Sequence, residues 1–107
     1  MAISFYATNV ENNFRNADYI NYADEIHDYL YNLSLYDKLP EGLIRLINLD
    51  HYKIQELSSE EIDMIISGID EVLDEEYDVQ IMDFLRNLYA FLEDAIEKEK
   101  LIYSVGE

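Results

Sequence analysis

The sequence predicts a mainly α-helical domain, a compact bundle of about four to five helices with room for a short two-stranded β ribbon. Three observations carry that expectation. Apolar residues recur three and four apart through most of the chain, the period of a helix buried along one stripe. Glycine occurs three times and proline once, so little of the chain has linker composition. The 107 residues are 50% hydrophobic and include ten Tyr and four Phe, whereas a chain kept disordered by its charge is poor in such residues. Residues 1–107 are therefore expected to form one domain with its own core.

Ile3 to Tyr6 is a candidate extended segment, and the polar stretch from Asn9 to Asn16 is expected to add at most a turn or two of helix. The next helix is expected from Asp18 to Leu35, with Tyr19, Tyr22, Ala23, Ile26, Tyr29, Leu30 and Leu33 inward and Asp24, Glu25 and Asp28 toward water. Leu39-Pro40-Glu41 opens a shorter helix to about Asn48, because proline is tolerated in a first turn. Tyr52 to Leu57 alternates and reads as extended. Ser58 with Glu61 forms a capping-box pattern at the head of a helix to about Tyr77, whose Ile62, Ile65, Ile66, Ile69, Val72 and Leu73 share one side. Asp78 to Lys98 follows with a broad apolar face, the expected central helix of the core. Leu101 to Val105 is β-branched and aromatic and reads as extended, to pair with Tyr52 to Leu57 or with Ile3 to Tyr6.

The net charge of −17 is unevenly laid out. From Ile54 to Leu85 there are eleven carboxylates and no Lys, Arg or His, where ordinary surfaces mix both signs. At about 100° per residue Glu60, Asp63, Asp70, Glu71, Asp74 and Glu75 share an arc of roughly 140° opposite the apolar stripe. Met64 falls within that arc, an apolar knob that could anchor a partner or tuck under the Tyr52 to Leu57 segment, and Gly68 lies nearby, where a bulky residue would keep a partner away. Glu60, Glu61 and Asp63 suit the positive end of the helix dipole. Asp74, Glu75, Glu76 and Asp78 lie at the negative end, which disfavours each by about 0.3–1 kcal/mol. A basic partner would offset that penalty. Glu60, Asp63, Met64, Asp70, Glu71, Asp74 and Glu75 are accordingly the candidate partner-binding residues.

Other chemistries find no pattern. Cysteine is absent, which removes disulfides, thiolate zinc sites and Cys nucleophiles. There is no Gly-rich phosphate loop, Gly-x-Ser-x-Gly elbow or paired-histidine zinc motif. Asp70, Asp74 and Glu76 have calcium-friendly chemistry but lack the glycine and terminal Glu of a calcium loop. Asp24-x-x-His27 has the spacing of a carboxylate-bridged metal helix, without the second motif that such sites need. His51 follows Asp50 in a loop. No enzyme and no cofactor are expected. Seven scattered cations suit neither nucleic acid nor anionic membrane. The start Met1-Ala2-Ile3-Ser4-Phe5-Tyr6 lacks the basic and apolar regions of a leader, so a cytoplasmic protein is expected.

Tyr19, Tyr22 and Tyr29 fit the core pattern, whereas Tyr31, Tyr36, Tyr52 and Tyr77 fit it less well. Exposed tyrosine beside carboxylate is a common interface chemistry, because the ring gives area at low entropy cost. Three functions would use such a surface: a small inhibitor of a basic protein, above all a nuclease toxin; a nucleic-acid mimic that blocks a DNA-binding enzyme; and a non-inhibitory adaptor for a basic client. In size, lack of cysteine, acidic helical surface and absence of an active-site motif the chain resembles the small acidic immunity proteins that bacteria pair with toxins. Leu39-Pro40-Glu41-Gly42-Leu43 through Asn48-Leu49-Asp50, with Leu101 to Glu107, also looks like a family of small bacterial proteins. The immunity resemblance implies tight binding of a cognate basic toxin and assigns no residue a role, since these proteins share no fold. It leaves the oligomeric state open.

Overall fold

The chain begins with a strand, β1 (Ile3–Thr8), that becomes an inner strand of a four-stranded antiparallel sheet. In the computed structural model, which describes residues 2–106, the order of the remaining elements is β2 (Asp18–Tyr22), α1 (Asp24–Ser34), α2 (Glu41–Ile47), β3 (Ile54–Glu56), α3 (Ser59–Val72), α4 (Val79–Glu97) and β4 (Leu101–Gly106). The strand order is β2-β1-β4-β3. This is an α+β fold, and it corrects the expectation of a mainly α bundle with a two-stranded ribbon.

The largest departure is at Asp18–Tyr22, expected as the first turns of a helix and found as edge strand β2. Tyr19, Tyr22, Ala23 and Ile26 satisfy a helical period, but Asp18, Ile20 and Tyr22 also alternate with Tyr19 and Asn21. Pairing decides between the two patterns. β1 presents Ile3, Phe5 and Ala7 to the core, and its register sets Ile3 against Tyr22 and Phe5 against Ile20. Tyr22 is consequently buried, while Tyr19 is 61% exposed rather than inward. Asn9 to Asn16 is a loop instead of helix. Asn12 and Asn16 adopt left-handed φ values of 56° and 62°, a conformation that Asn tolerates and a helix does not. Thr8 Oγ1 donates to the Asn13 carbonyl at 2.6 Å and helps fold the loop back. Phe14 then lies over the outer face of the sheet, 5.1 Å from the rings of both Tyr6 and Tyr103.

Helices cover the other face. α4 touches β2, β4, α1 and α3, and α2 packs between α1 and α3. Leu85, Leu88 and Leu92 of α4 meet Phe5 and Ile102 of the sheet and Ile65 and Ile69 of α3 in one core cluster. The Tyr22 hydroxyl reaches out of that cluster to donate to the Leu46 carbonyl at 3.3 Å. α2 comes unusually close to α3. A Cβ on Gly42 would lie 2.0 Å from the Met64 carbonyl oxygen, and one on Gly68 would lie 3.0 Å from Gly42 Cα. Two glycines thus let the backbones touch.

One polar pair in this fold has a measurable consequence. Ser104 on β4 faces Gln55 on β3, and among the described residues neither the Ser104 hydroxyl nor the Gln55 amide nitrogen has a hydrogen-bond partner although both are buried. An unsatisfied buried hydroxyl costs about 1–3 kcal/mol. Ser104→Ala is therefore expected to raise stability by about 1 kcal/mol in urea unfolding; a less stable variant would show that the hydroxyl is satisfied in solution.

Candidate protein-binding surface

Helix α3 starts where its capping box requires. Ser58 Oγ accepts from the Glu61 backbone N–H at 3.1 Å, and Glu61 Oε1 accepts from the Ser58 N–H at 3.2 Å. Glu61 also holds Arg45 of α2, whose Nε donates to Oε2 at 2.7 Å. Partial burial pushes the Glu61 carboxyl up, but the Ser58 backbone and the Arg45 guanidinium outweigh it and hold the carboxyl below its ordinary range. A lowered folded value means stabilisation that is full above the ordinary glutamate range and lost as the pH falls through the lowered one. Glu61→Gln is accordingly expected to cost about 1 kcal/mol near neutrality. The difference from the native protein should shrink as the pH falls below the ordinary glutamate range in urea titrations; a difference that grows with acidity would contradict this.

Beyond Glu61 the acidic face of α3 is exposed. Glu60, Asp63, Asp70 and Glu71 all face solvent, as do Asp74 and Glu75. Among the described residues none of these six carboxylates forms an ion pair. Asp74 and Glu75 are not on the helix, however. α3 ends at Val72 with Leu73 as its C-cap, rather than at Tyr77, and Glu75 N–H closes a turn onto the Val72 carbonyl at 3.0 Å. Asp78 accepts from the Gln80 N–H at 2.9 Å as the N-cap of α4. The acids expected to oppose the end of one dipole therefore occupy a tight turn between two helices, and Asp78 stabilises the second. The dipole penalty inferred from the sequence does not apply to Asp78.

Next to this face runs a groove made of three adjoining depressions between the start of α2 and the length of α3. One is lined by Pro40, Gly42, Met64, Gly68 and Glu71. The second has Lys38, Leu39, Pro40, Glu71, Val72 and Glu75 around Tyr77. The third is closed by Asp37, Lys38, Glu75 and Tyr77. The Tyr77 ring stands 6.3 Å from Tyr29, and the Tyr29 hydroxyl accepts from the Asp78 N–H at 3.3 Å. This ties α1 to the α3–α4 turn. Partial burial, then the charges of Glu75 and Asp37 and the Tyr29 phenol, push the Tyr77 hydroxyl above its ordinary range. It remains a protonated donor at neutral pH.

Of the residues singled out in the sequence, Met64, Glu71 and Glu75 come together along this groove, whereas Glu60, Asp63, Asp70 and Asp74 lie outside its lining. Met64 is 37% exposed. Gly68, read in the sequence as an opening toward an external partner, is filled by α2 of the same chain. Lys38, Leu39 and Pro40 had no sequence signal for this surface, because only the α2–α3 contact brings them to it. Tyr31, Tyr36 and Tyr52 are exposed, Tyr36 at 86%.

The histidines serve the fold. His27 Nε2 donates to the Ile47 carbonyl at the end of α2, 3.0 Å away, and its ring meets that of His51 edge-on at 4.7 Å. Among the described residues no three His, Asp or Glu side chains are placed to hold a metal ion. Likewise no helix is long and apolar enough to cross a membrane. No protein-family model, curated protein or solved structure matches the chain.

Proposed function

We propose that the protein is an immunity- or antitoxin-type inhibitor that binds a cognate basic toxin, a nuclease above all, and neutralises it through the acidic surface of α3 and the α3–α4 turn. One observation carries the reading: among the described residues the exposed carboxylates of this surface form no ion pair, and they border a groove with an apolar floor. Unpaired acids in water steer a basic protein to the surface, raising association toward about 10⁸–10⁹ M⁻¹s⁻¹ at low salt. Charge alone gives speed without residence, since exposed pairs are worth only about 0.2–1 kcal/mol each. Tyr77, Met64 and Pro40 supply the apolar contact that residence needs. A nuclease presents a positive substrate groove, and carboxylates set in that groove occupy the phosphate positions.

The test is affinity capture from the source cells with tagged protein, at low salt and then at raised salt. One basic protein retained in equimolar amount, inactive until released, is the expected result. A salt-labile mixture of DNA-binding proteins would replace the reading with mimicry of nucleic acid, and a retained but fully active partner would make the protein an adaptor.

A further inference from the structure

Strand β2 is an edge of the sheet, and the ladder fixes which of its peptide groups face outward. Gly106 N–H donates to the Lys53 carbonyl and Leu57 N–H to the Ile102 carbonyl, both at 2.9 Å. Antiparallel pairs alternate between bonded and non-bonded, so Gln55 and Ser104 also bond each other, while Tyr103 and Val105 turn their peptide groups the other way, to Tyr6 and Ser4. Ile3, Phe5 and Ala7 are then left to bond Tyr22, Ile20 and Asp18. The N–H and C=O groups of Tyr19 and Asn21 therefore point out of the sheet at its free edge. Among the described residues no hydrogen bond takes up any of these four groups. Edges are ordinarily blunted by shortness, Lys, Pro or a bulge. β3, at the opposite edge, is three residues long and follows Lys53. β2 has five residues in unbroken register and none of these devices.

We infer that β2 pairs with β2 of a second copy, antiparallel about Ile20, and joins two four-stranded sheets into one. The strand is complementary to itself. Tyr19 of each copy stands opposite Asn21 of the other, so four bonds satisfy all the outward groups of both edges. Ile20, packed against the core of its own chain, meets its counterpart on the two-fold axis. Charge favours a second copy here. The acid of β2, Asp18, is held by Lys100 Nζ at 3.3 Å. Arg15, exposed and among the described residues in no ion pair, stands three positions before β2, and Asp24 and Glu25 stand two and three positions after it. Antiparallel pairing sets the start of one strand beside the end of the other, and so a cation beside two carboxylates, twice. Pairing through β3 would instead bring together the acidic starts of two α3 helices. The inference does not rest on the proposed basic partner, because α3 begins at the opposite edge of the sheet.

Sedimentation equilibrium of the full-length protein should show a reversible dimer. Asn21→Pro removes an outward N–H and no bond of the β1–β2 ladder, and should weaken dimerisation about tenfold or more. Glu56→Pro removes an outward N–H at the β3 edge and should change it by less than about twofold. The chain has no cysteine, so single-Cys variants report the register. Residues 20 of the two copies form a non-bonded pair with Cα atoms about 4.5 Å apart, within disulfide reach. Residues 19 of the two copies are offset by two positions, beyond about 7 Å, as are residues 21. Mild oxidation should therefore cross-link Ile20→Cys about tenfold faster than the more exposed Tyr19→Cys or Asn21→Cys. A wild type that stays monomeric at every concentration would overturn the second copy and leave the edge to a strand of another protein. A dimer that weakens equally with Glu56→Pro, or cross-links no faster through residue 20, would overturn the β2 edge as its interface.

Discussion

Reversing Asp70, Asp74 and Glu75 to Lys together is expected to leave the fold intact and to lower affinity for the basic partner by about a hundredfold at low salt. The three side chains are exposed and, among the described residues, make no ion pair that the change would break. Asp74 and Glu75 follow the C-cap of α3, where a cation is favoured by the helix end, and precede α4, where it is disfavoured, so the dipole effects largely cancel. Stability should therefore move by no more than about 0.5–1 kcal/mol. Binding is different. Each reversal turns an attraction of about 0.2–1 kcal/mol into a repulsion of similar size, so three amount to about 1–6 kcal/mol, a range that contains the hundredfold loss. Three reversals of two charges each also bring the net charge from −17 to −11, which weakens long-range steering. The deficit should fall chiefly on the association rate and shrink as the screening length drops from about 10 Å at 0.1 M to about 3 Å at 1 M salt. Unchanged affinity at low salt would reduce the acidic face to a solvated surface.

Gly42→Ala is expected to lower stability by about 2–3 kcal/mol net. Alanine is intrinsically better than glycine in a helix by about 1 kcal/mol. Against that gain, the new Cβ would lie 2.0 Å from the Met64 carbonyl oxygen, 2.7 Å from the Met64 carbonyl carbon and 2.8 Å from Ile65 Cα. All three are backbone atoms of α3, so no rotamer change relieves the contact and α2 has to move away as a body. Gly68→Ala meets Gly42 Cα at 3.0 Å and should cost less, about 1 kcal/mol. The expected order is wild type, then Gly68→Ala, then Gly42→Ala, with Gly42→Ala melting about 10–15 °C lower. Because Pro40 and Gly42 form one wall of the groove, displacement of α2 should also weaken partner binding. A Gly42→Ala protein as stable as wild type would mean that the helices are not in backbone contact.

How much of this was legible in the sequence differs by element, for physical reasons. The start of α3 was, because Ser58 and Glu61 make a local capping box whose two hydrogen bonds both form. The second long helix was too, with Asp78 and Lys98 as its caps, since apolar positions recur on one broad face along it. β3 and β4 were legible as extended segments. Asp18–Tyr22 was not, because tyrosines at positions 19 and 22 fit helix and strand alike, and only the free edge of β1 selects the strand. With β2 misplaced, a four-stranded sheet could not be anticipated. The end of α3 was missed because the carboxylates from Asp70 to Asp78 continue without a break in composition, while the turn is imposed by the packing of α4. At the surface, the exposure of Glu60, Asp63 and Asp70 follows from helical periodicity alone. The groove does not, since Lys38 and Pro40 reach Glu71 and Glu75 only through the contact of Gly42 with Gly68, residues twenty-six positions apart. Two glycines inside amphipathic helices were the available signal, and in isolation Gly68 pointed outward to an external partner as readily as inward to α2.

The central claim is inhibition of a basic partner by an acidic surface, and titrating the activity of the captured partner against this protein tests it most directly. Activity should fall linearly to zero at one equivalent of wild-type protein in low salt, and should survive one equivalent of the triple Lys variant. Activity that persists at a large excess of wild-type protein, or equal suppression of several unrelated DNA-binding enzymes, would contradict a cognate inhibitor.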